Sequence, residues 1–257
     1  ILTEIERVRQ YGFLNSELKR IKDDYLSYYQ KIYDNRDDQD STFFLEDFID
    51  RFVSKEAITS IAFDYKLIKA ILPTITTEDL KTITDQWVLY EGRKVVITAP
   101  ETSLDSLPVP VDLLSLLNQS SQNQLAAYEE DDVVHRSLIE VSPVPSKIIY
   151  EKYHKQLDTT EWRLANGVRV ILKPTDFKKN SITFSAQSPG GTSLASDEFF
   201  VSANKAIDVV TYSGVGKFNA IELGKKLSGK NLSIKPKIFH LSEGMSGSST
   251  VEDLPTL

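Results

Sequence analysis

The chain has 257 residues, 40% of them hydrophobic and 26% charged, with a formal net charge of −7. Length and composition fit an ordinary globular protein with material for one large domain or two small ones. The acidic balance argues against a nucleic-acid partner, no apolar run approaches the roughly 20 residues that cross a bilayer, and the absence of cysteine excludes disulfides and thiolate metal sites while leaving the compartment open.

The opening, ILTEIERVRQ, carries no signal peptide, lacks an initiator Met and reads as the middle of a helix, which predicts a fragment or a processed piece. Residues 1 to about 100 read as helices closed by one strand. Leu18, Ile21, Tyr25, Tyr28 and Ile32 recur at spacings of three and four, which predicts an amphipathic helix capped by Asn15 or Ser16. The polar run 35–40 breaks it, and Ser41 or Thr42 is placed to cap a second helix through Phe44, Phe48 and Phe52. Thr76-Thr77-Glu78-Asp79 begins another, with Leu80, Ile83 and Trp87 on one face and acids in the first turn, where the helix dipole favours them. Val95-Val96-Ile97 reads as a short buried strand stopped by Pro100.

Residues 101–159 read as a connection between domains. Pro108, Pro110, Pro143 and Pro145 bracket it; an amphipathic segment at 111–117 is followed by a polar run at 118–123 and an acidic run at 129–132. So long a stretch without strong periodicity is better explained as a tether than as a loop inside one domain.

From residue 160 the pattern changes to strands. Leu164, Val168, Val170 and Leu172 alternate with Arg169 and Ile171 around Asn166-Gly167, a pair that predicts a type I′ hairpin turn. Ile182-Thr183-Phe184-Ser185-Ala186 leads into Pro189-Gly190-Gly191, where the backbone must bend or pass close to another chain segment. Residues 197–212 offer a helix, Asn219 is placed to cap a second through Ile221, Leu223 and Leu227, and Leu232 begins a further strand. Together these elements predict an α+β fold, an antiparallel sheet layered with helices.

Candidate chemistry is sparse. His135, His154 and His240 are the only histidines, and none is paired at the i, i+4 spacing with which two imidazoles on one helix face share a zinc. Glu151 and His154 stand at i, i+3, but a metal needs three or four ligands, and a solvated pair is the ordinary reading. Gly214-Val215-Gly216-Lys217-Phe218 departs from a phosphate loop at Thr211, where the first glycine should be, and at Phe218, where a hydroxyl residue should be. A helix C-cap turn explains it better. Gly244-Met245-Ser246-Gly247-Ser248 lacks the second glycine of a nucleophile elbow and reads as a flexible loop. The cluster Lys217, Lys225, Lys226, Lys230, Lys235 and Lys237 reads as a solvated basic face.

One order of motifs is more specific. LANGVRVILKPT at 164–175, a strand, then SPGG at 188–191, resembles the start of a repeat domain in the pitrilysin/insulinase family of zinc peptidases. YGFLNSELKRIK at 11–22, ITTEDL at 75–80 and KVVITAP at 94–100 resemble the second half of the preceding domain. The resemblance implies the end of one repeat domain at 1–100, an inter-domain linker at 101–159, and the start of another at 160–257. Active copies carry H-x-x-E-H on the helix after the second strand. With Gly214 taken as the residue that closes that helix, the motif positions fall at Lys205-Ala206-Ile207-Asp208-Val209, so Lys205, Asp208 and Val209 stand where two histidines and the glutamate would be.

The resemblance therefore implies no catalytic residue and no metal ligand in this chain, with Zn²⁺ bound elsewhere in the parent. The partners it implies are the remaining domains of the parent and peptide substrates. It leaves periplasm or cytoplasm open, with the periplasm favoured. Two further readings stay open: a structural or peptide-binding subunit of the same family with no zinc site in the parent, and a binding module unrelated to peptidases.

Overall fold

The computed structural model describes residues 2–89, 92, 94–120, 124–130 and 133–257, without the side chains of Leu104, Asp105 and Ser120. It is an α+β protein in which eight helices are labelled α1 to α8 and six strands β1 to β6. The chain divides into two compact units, Ile1–Leu26 with Leu67–Asp132 and Ser27–Lys66 with Val133–Leu257.

The first unit is helical. It comprises α1 (Leu2–Tyr11), the start of α2 (Asn15–Asp34), the end of α4 (Ile61–Ile71), α5 (Thr77–Trp87) and α6 (Pro110–Ser120). Helix α1 packs on α5 and α6, and Lys81 Nζ donates to the Arg9 carbonyl at 3.2 Å. The apolar stripe on α2 forms the expected helix, but neither Asn15 nor Ser16 caps it. The Leu14 carbonyl accepts the Leu18 N–H, and the Glu17 carboxylate reaches back to the Leu14 N–H at 2.7 Å, while Ser16 turns its hydroxyl to Glu130. Glu130 also takes Arg20 at 2.9 Å, so part of the acidic run is pinned; residues 121–123 and 131–132 of the polar and acidic runs lie outside the described residues.

Thr76 and Asp79 form a reciprocal capping box at the start of α5, as the spacing predicts. Val95-Val96-Ile97 is not a strand: all three side chains are exposed, Val96 at 83%. A strand satisfies its backbone only against a neighbouring strand, and among the described residues this segment has none.

In the second unit, α3 (Ser41–Ser54) is capped by Asp40, whose carboxylate accepts the Thr42 N–H, rather than by Ser41 or Thr42. The carboxylate one residue earlier reaches the orphan donors of the first turn. Two three-stranded antiparallel sheets follow. The first has the order β1-β2-β3, with β1 (Ile148–His154), β2 (Thr159–Leu164) and β3 (Arg169–Leu172). The second has the order β4-β6-β5, with β4 (Ile182–Pro189), β5 (Leu232–Ile238) and β6 (Ser242–Ser249).

The β2–β3 connection is not a type I′ turn. Gly167 alone has positive φ, at 90°, the Gly167 N–H bonds the Leu164 carbonyl, and the Leu164 N–H bonds the Val168 carbonyl. This is a three-residue loop with glycine in the left-handed bulge position, the alternative that the same Asn-Gly pair supports. The segment Gly244-Met245-Ser246-Gly247-Ser248 is the middle of central strand β6, not a loop. Helix α7 (Phe200–Ser213) packs beside β5 and ends at Gly214, with φ 96°. Helix α8 (Ala220–Leu227) is capped by a reciprocal Asn219–Glu222 box.

Candidate functional site

Helix α7 presents Lys205, Asp208 and Val209 to solvent. Lys205 Nζ lies 3.3 Å from Asp208 Oδ2, with both side chains largely exposed, and Val209 is 64% exposed. One turn separates the pair, so the cation and anion meet on one face. An ammonium cannot ligate a metal ion and valine offers no donor atom, so these residues do not fit the zinc that the resemblance places in active copies.

The histidines are dispersed. His240 Nδ1 is 3.4 Å from Thr192 Oγ1, and His154 Nε2 is 3.1 Å from Glu161 Oε2. Among the described residues no three His, Cys, Asp or Glu side chains stand close enough to hold a metal ion. Glu151 and His154 do not act together. They lie on a strand, where odd separations point to opposite faces: Glu151 is opposite Trp162, whereas His154 reaches diagonally to Glu161.

Glu161 was not singled out by any motif, yet it is the most connected group on the first sheet. It is 8% exposed, takes His154 on one oxygen and Arg163 Nε, at 3.2 Å, on the other. The hydrogen bond from His154, then that from Arg163, holds its carboxyl below the ordinary range against the opposing effect of desolvation. The Arg163 guanidinium lies 4.9 Å over the Tyr150 ring, the residue directly across the β1–β2 ladder.

The basic cluster is likewise more structured than a solvated face. Lys217 pairs with Glu140, Lys226 donates to the Val134 carbonyl and Lys230 meets Asp253 at 2.9 Å. Arg136 lies 4.5 Å over the Phe218 ring and bonds Glu222 at 2.7 Å. These contacts clamp residues 133–140 to the α7–α8 corner, where Val133 and Phe218 are buried. Gly214-Val215-Gly216-Lys217-Phe218 is the turn after α7, closed by mutual Val215–Phe218 backbone bonds.

The second unit also holds a cleft of about 610 Å³ lined by Tyr28, Tyr29, Ile32, Phe43, Phe44 and Phe48 among others. The charges of Arg51, Asp47 and Asp64 on its rim satisfy one another: Arg51 bonds Asp47 at 3.0 Å, Asp64 at 2.7 Å and Thr59 at 2.9 Å. With those charges spent on each other, the cleft suits an apolar or aromatic group rather than an ion.

Comparison with known proteins gives two related sequences. The chain is 24% identical over 200 residues to a zinc protease PQQL-like of Arabidopsis thaliana, covering 78% of this chain and 21% of that protein. It is 26% identical over 216 residues to the probable zinc protease PqqL of Haemophilus influenzae, covering 82% and 23%. This chain thus spans about a fifth of the length of these relatives. Among solved structures, the periplasmic protease PqqL of Escherichia coli matches with a TM-score of 0.45 and 21% identity, over 98% of this chain and 28% of that one. No family model matches the chain.

Proposed function

We propose, from the kinship of this chain with PqqL-type zinc proteases of the pitrilysin/insulinase family, that it is a non-catalytic portion of a zinc-dependent metalloendopeptidase that degrades peptides or unfolded proteins. In this reading residues 1–100 end one repeat domain, 101–159 connect it to the next, and 160–257 begin a copy without a zinc site. The parent holds Zn²⁺ through an H-x-x-E-H elsewhere; bound there, the ion supplies an acidified water for attack on the peptide bond. This portion contributes chamber wall and hinge.

The observation that carries the reading is the similarity to zinc proteases; the resemblance puts the motif positions at Lys205, Asp208 and Val209, none of them histidine. Burial supports it. Exposed Ile21, Tyr25, Tyr28, Phe52 and Trp87 are faces for further protein to cover. The motif positions also accommodate the second reading, a structural or peptide-binding subunit whose parent has no zinc site at all.

The parent sequence decides between the two. An H-x-x-E-H followed by a downstream glutamate supports the peptidase, and zinc-dependent cleavage of an unstructured peptide by the parent confirms it. This chain alone is expected to hold no stoichiometric zinc and to cleave nothing. Replacing Lys205→His, Asp208→Glu and Val209→His is expected to preserve the fold without creating activity, because the further carboxylate ligand and the orienting groups are missing. Zinc-dependent cleavage by that triple variant overturns the assignment of residues 160–257 to an inactive copy.

A further inference from the structure

The face of the first sheet that carries Glu161 is cationic, in a chain whose net charge is −7. Strand alternation and register put Tyr150, Lys152 and His154 of β1, Thr159, Glu161 and Arg163 of β2, and Arg169 and Ile171 of β3 on this side, so that its charged groups are three lysine or arginine cations, one carboxylate and one imidazole. Arg163 stands directly opposite Arg169 in the β2–β3 ladder. Like charges so placed destabilise a sheet, and neither side chain is needed for packing, since both are exposed.

The single carboxylate on this face does not neutralise them. Both oxygens of Glu161 are occupied, one by His154 and one by Arg163. Among the described residues the side chains of Arg169 and Lys152 make no hydrogen bond or ion pair, and the field of Arg169 reaches Glu161 only at a distance. Arg163, by contrast, is fixed. Glu161 holds its Nε at 3.2 Å and Tyr150 supports the plane from 4.9 Å, while its terminal N–H groups have no partner among the described residues. A pre-positioned guanidinium beside two unpaired cations is the arrangement that receives carboxylates, by a two-point fork at arginine and a point charge at lysine.

We propose that this face docks an acidic, extended peptide segment. Directly opposed strand residues have Cβ atoms about 5 Å apart, so one carboxylate bridges Arg163 and Arg169. Alternate side chains of an extended peptide are about 6.5 to 7 Å apart, which carries the next carboxylate toward Lys152. The proposal rests on the reading that the parent handles peptides and names the charge of those it retains.

The test uses the chain as it stands and fluorescence anisotropy of short labelled peptides of equal length, rich in Glu, rich in Lys or neutral, with a single-stranded oligonucleotide as a second polyanion. The Glu-rich peptide is expected to bind at least about tenfold more tightly than the other three, and its binding to weaken as salt rises. Arg169→Glu and Lys152→Glu are each expected to weaken it roughly tenfold. Arg169→Glu removes the cross-strand repulsion and so is expected to raise the thermal midpoint while it lowers affinity, a split that a merely structural residue does not show. Equal binding of the three peptides, an oligonucleotide that binds as tightly as the acidic peptide, or unchanged affinity in both variants overturns the proposal. A parent that cleaves peptides while this face is indifferent to their charge sinks this inference alone; a parent without cleavage, together with retained acidic binding here, sinks only the peptidase.

Discussion

On the Glu161 face of the first sheet, Tyr150 stands opposite Arg163, Lys152 opposite Glu161 and Arg163 opposite Arg169, with Ile171 across from Glu161 on the third strand. In the second sheet the central strand is Ser242–Ser249, SEGMSGSS, flanked on one side by Thr183, Ser185 and Gln187 and on the other by Ser233, Lys235 and Lys237. The strand number and sense are the same, but the central strand of the first sheet carries Glu161, Trp162 and Arg163, whereas that of the second is mostly serine and glycine, small enough to let backbones and rings come close. A Cβ on Gly247 would stand 2.2 Å from the Ser233 carbonyl oxygen and 2.5 Å from the Phe184 ring. Long polar side chains therefore leave the first sheet tolerant and chemically open, while the second is closed around a shape.

The largest expected effect tests that closure. Gly247→Ala should destabilise the protein by about 3 kcal/mol, since the clash is with backbone and ring and cannot be relieved by a flexible tip. Arg163→Ala in the first sheet should cost under about 1 kcal/mol, as its ion pair is half-exposed. Chemical denaturation of the two variants checks the contrast, and similar costs would erase it.

Next is the corner where the second sheet meets the chain end. Asp253 accepts the Asn231 N–H at 2.7 Å, Thr250 Oγ1 at 3.1 Å and Lys230 at 2.9 Å. Burial pushes its carboxyl up, but the Asn231, Lys230 and Thr250 bonds together outweigh that and hold it below the ordinary range. Asp253→Ala strands the Asn231 N–H and should cost about 2 kcal/mol, read as a shift in the denaturation midpoint.

The pH dependence of the first sheet is smaller. Glu161 has a depressed carboxyl, so its contribution is present above the unfolded-state value and is lost as pH falls through the folded-state value. Denaturation midpoints taken from about pH 7 to about pH 3 should fall at the acidic end, and Glu161→Gln should flatten that fall. A slope unchanged by Glu161→Gln would place the titration elsewhere. Smallest is the exposed Lys205–Asp208 pair, where Lys205→Ala should change stability by no more than a few tenths of a kcal/mol.

Periodicity made the helices legible: the stripe through Leu18 and Ile32 and the caps at Thr76 and Asn219 formed where spacing placed them. At α3 the cap moved by one residue because neighbouring oxygens can reach the same orphan N–H groups, so Asp40 acts in place of Ser41; at α2 Glu17 instead reaches back to the Leu14 N–H. Strands were harder, since a short apolar run is a strand only if a partner exists. Among the described residues Val95-Val96-Ile97 has none, whereas Ile148–His154, within the stretch read as a linker, pairs with β2. The His154–Glu161 contact was hidden for a related reason. It crosses a ladder, and the local i, i+3 reading linked His154 to a residue on the opposite face. Had β1 been recognised, period-two alternation would have paired the faces correctly.

The clamp at the α7–α8 corner joins groups far apart along the chain, with Arg136 and Glu222 separated by 86 residues and Lys226 and Val134 by 92. Such contacts form only after a long loop has closed, so they belong to the late events of folding. At a synthesis rate of about 5 to 20 residues per second, residues 133–140 wait roughly 5 to 20 seconds for their partner helix to leave the ribosome. During that interval Val133, buried in the finished protein, is open to water, to proteases and to chaperones.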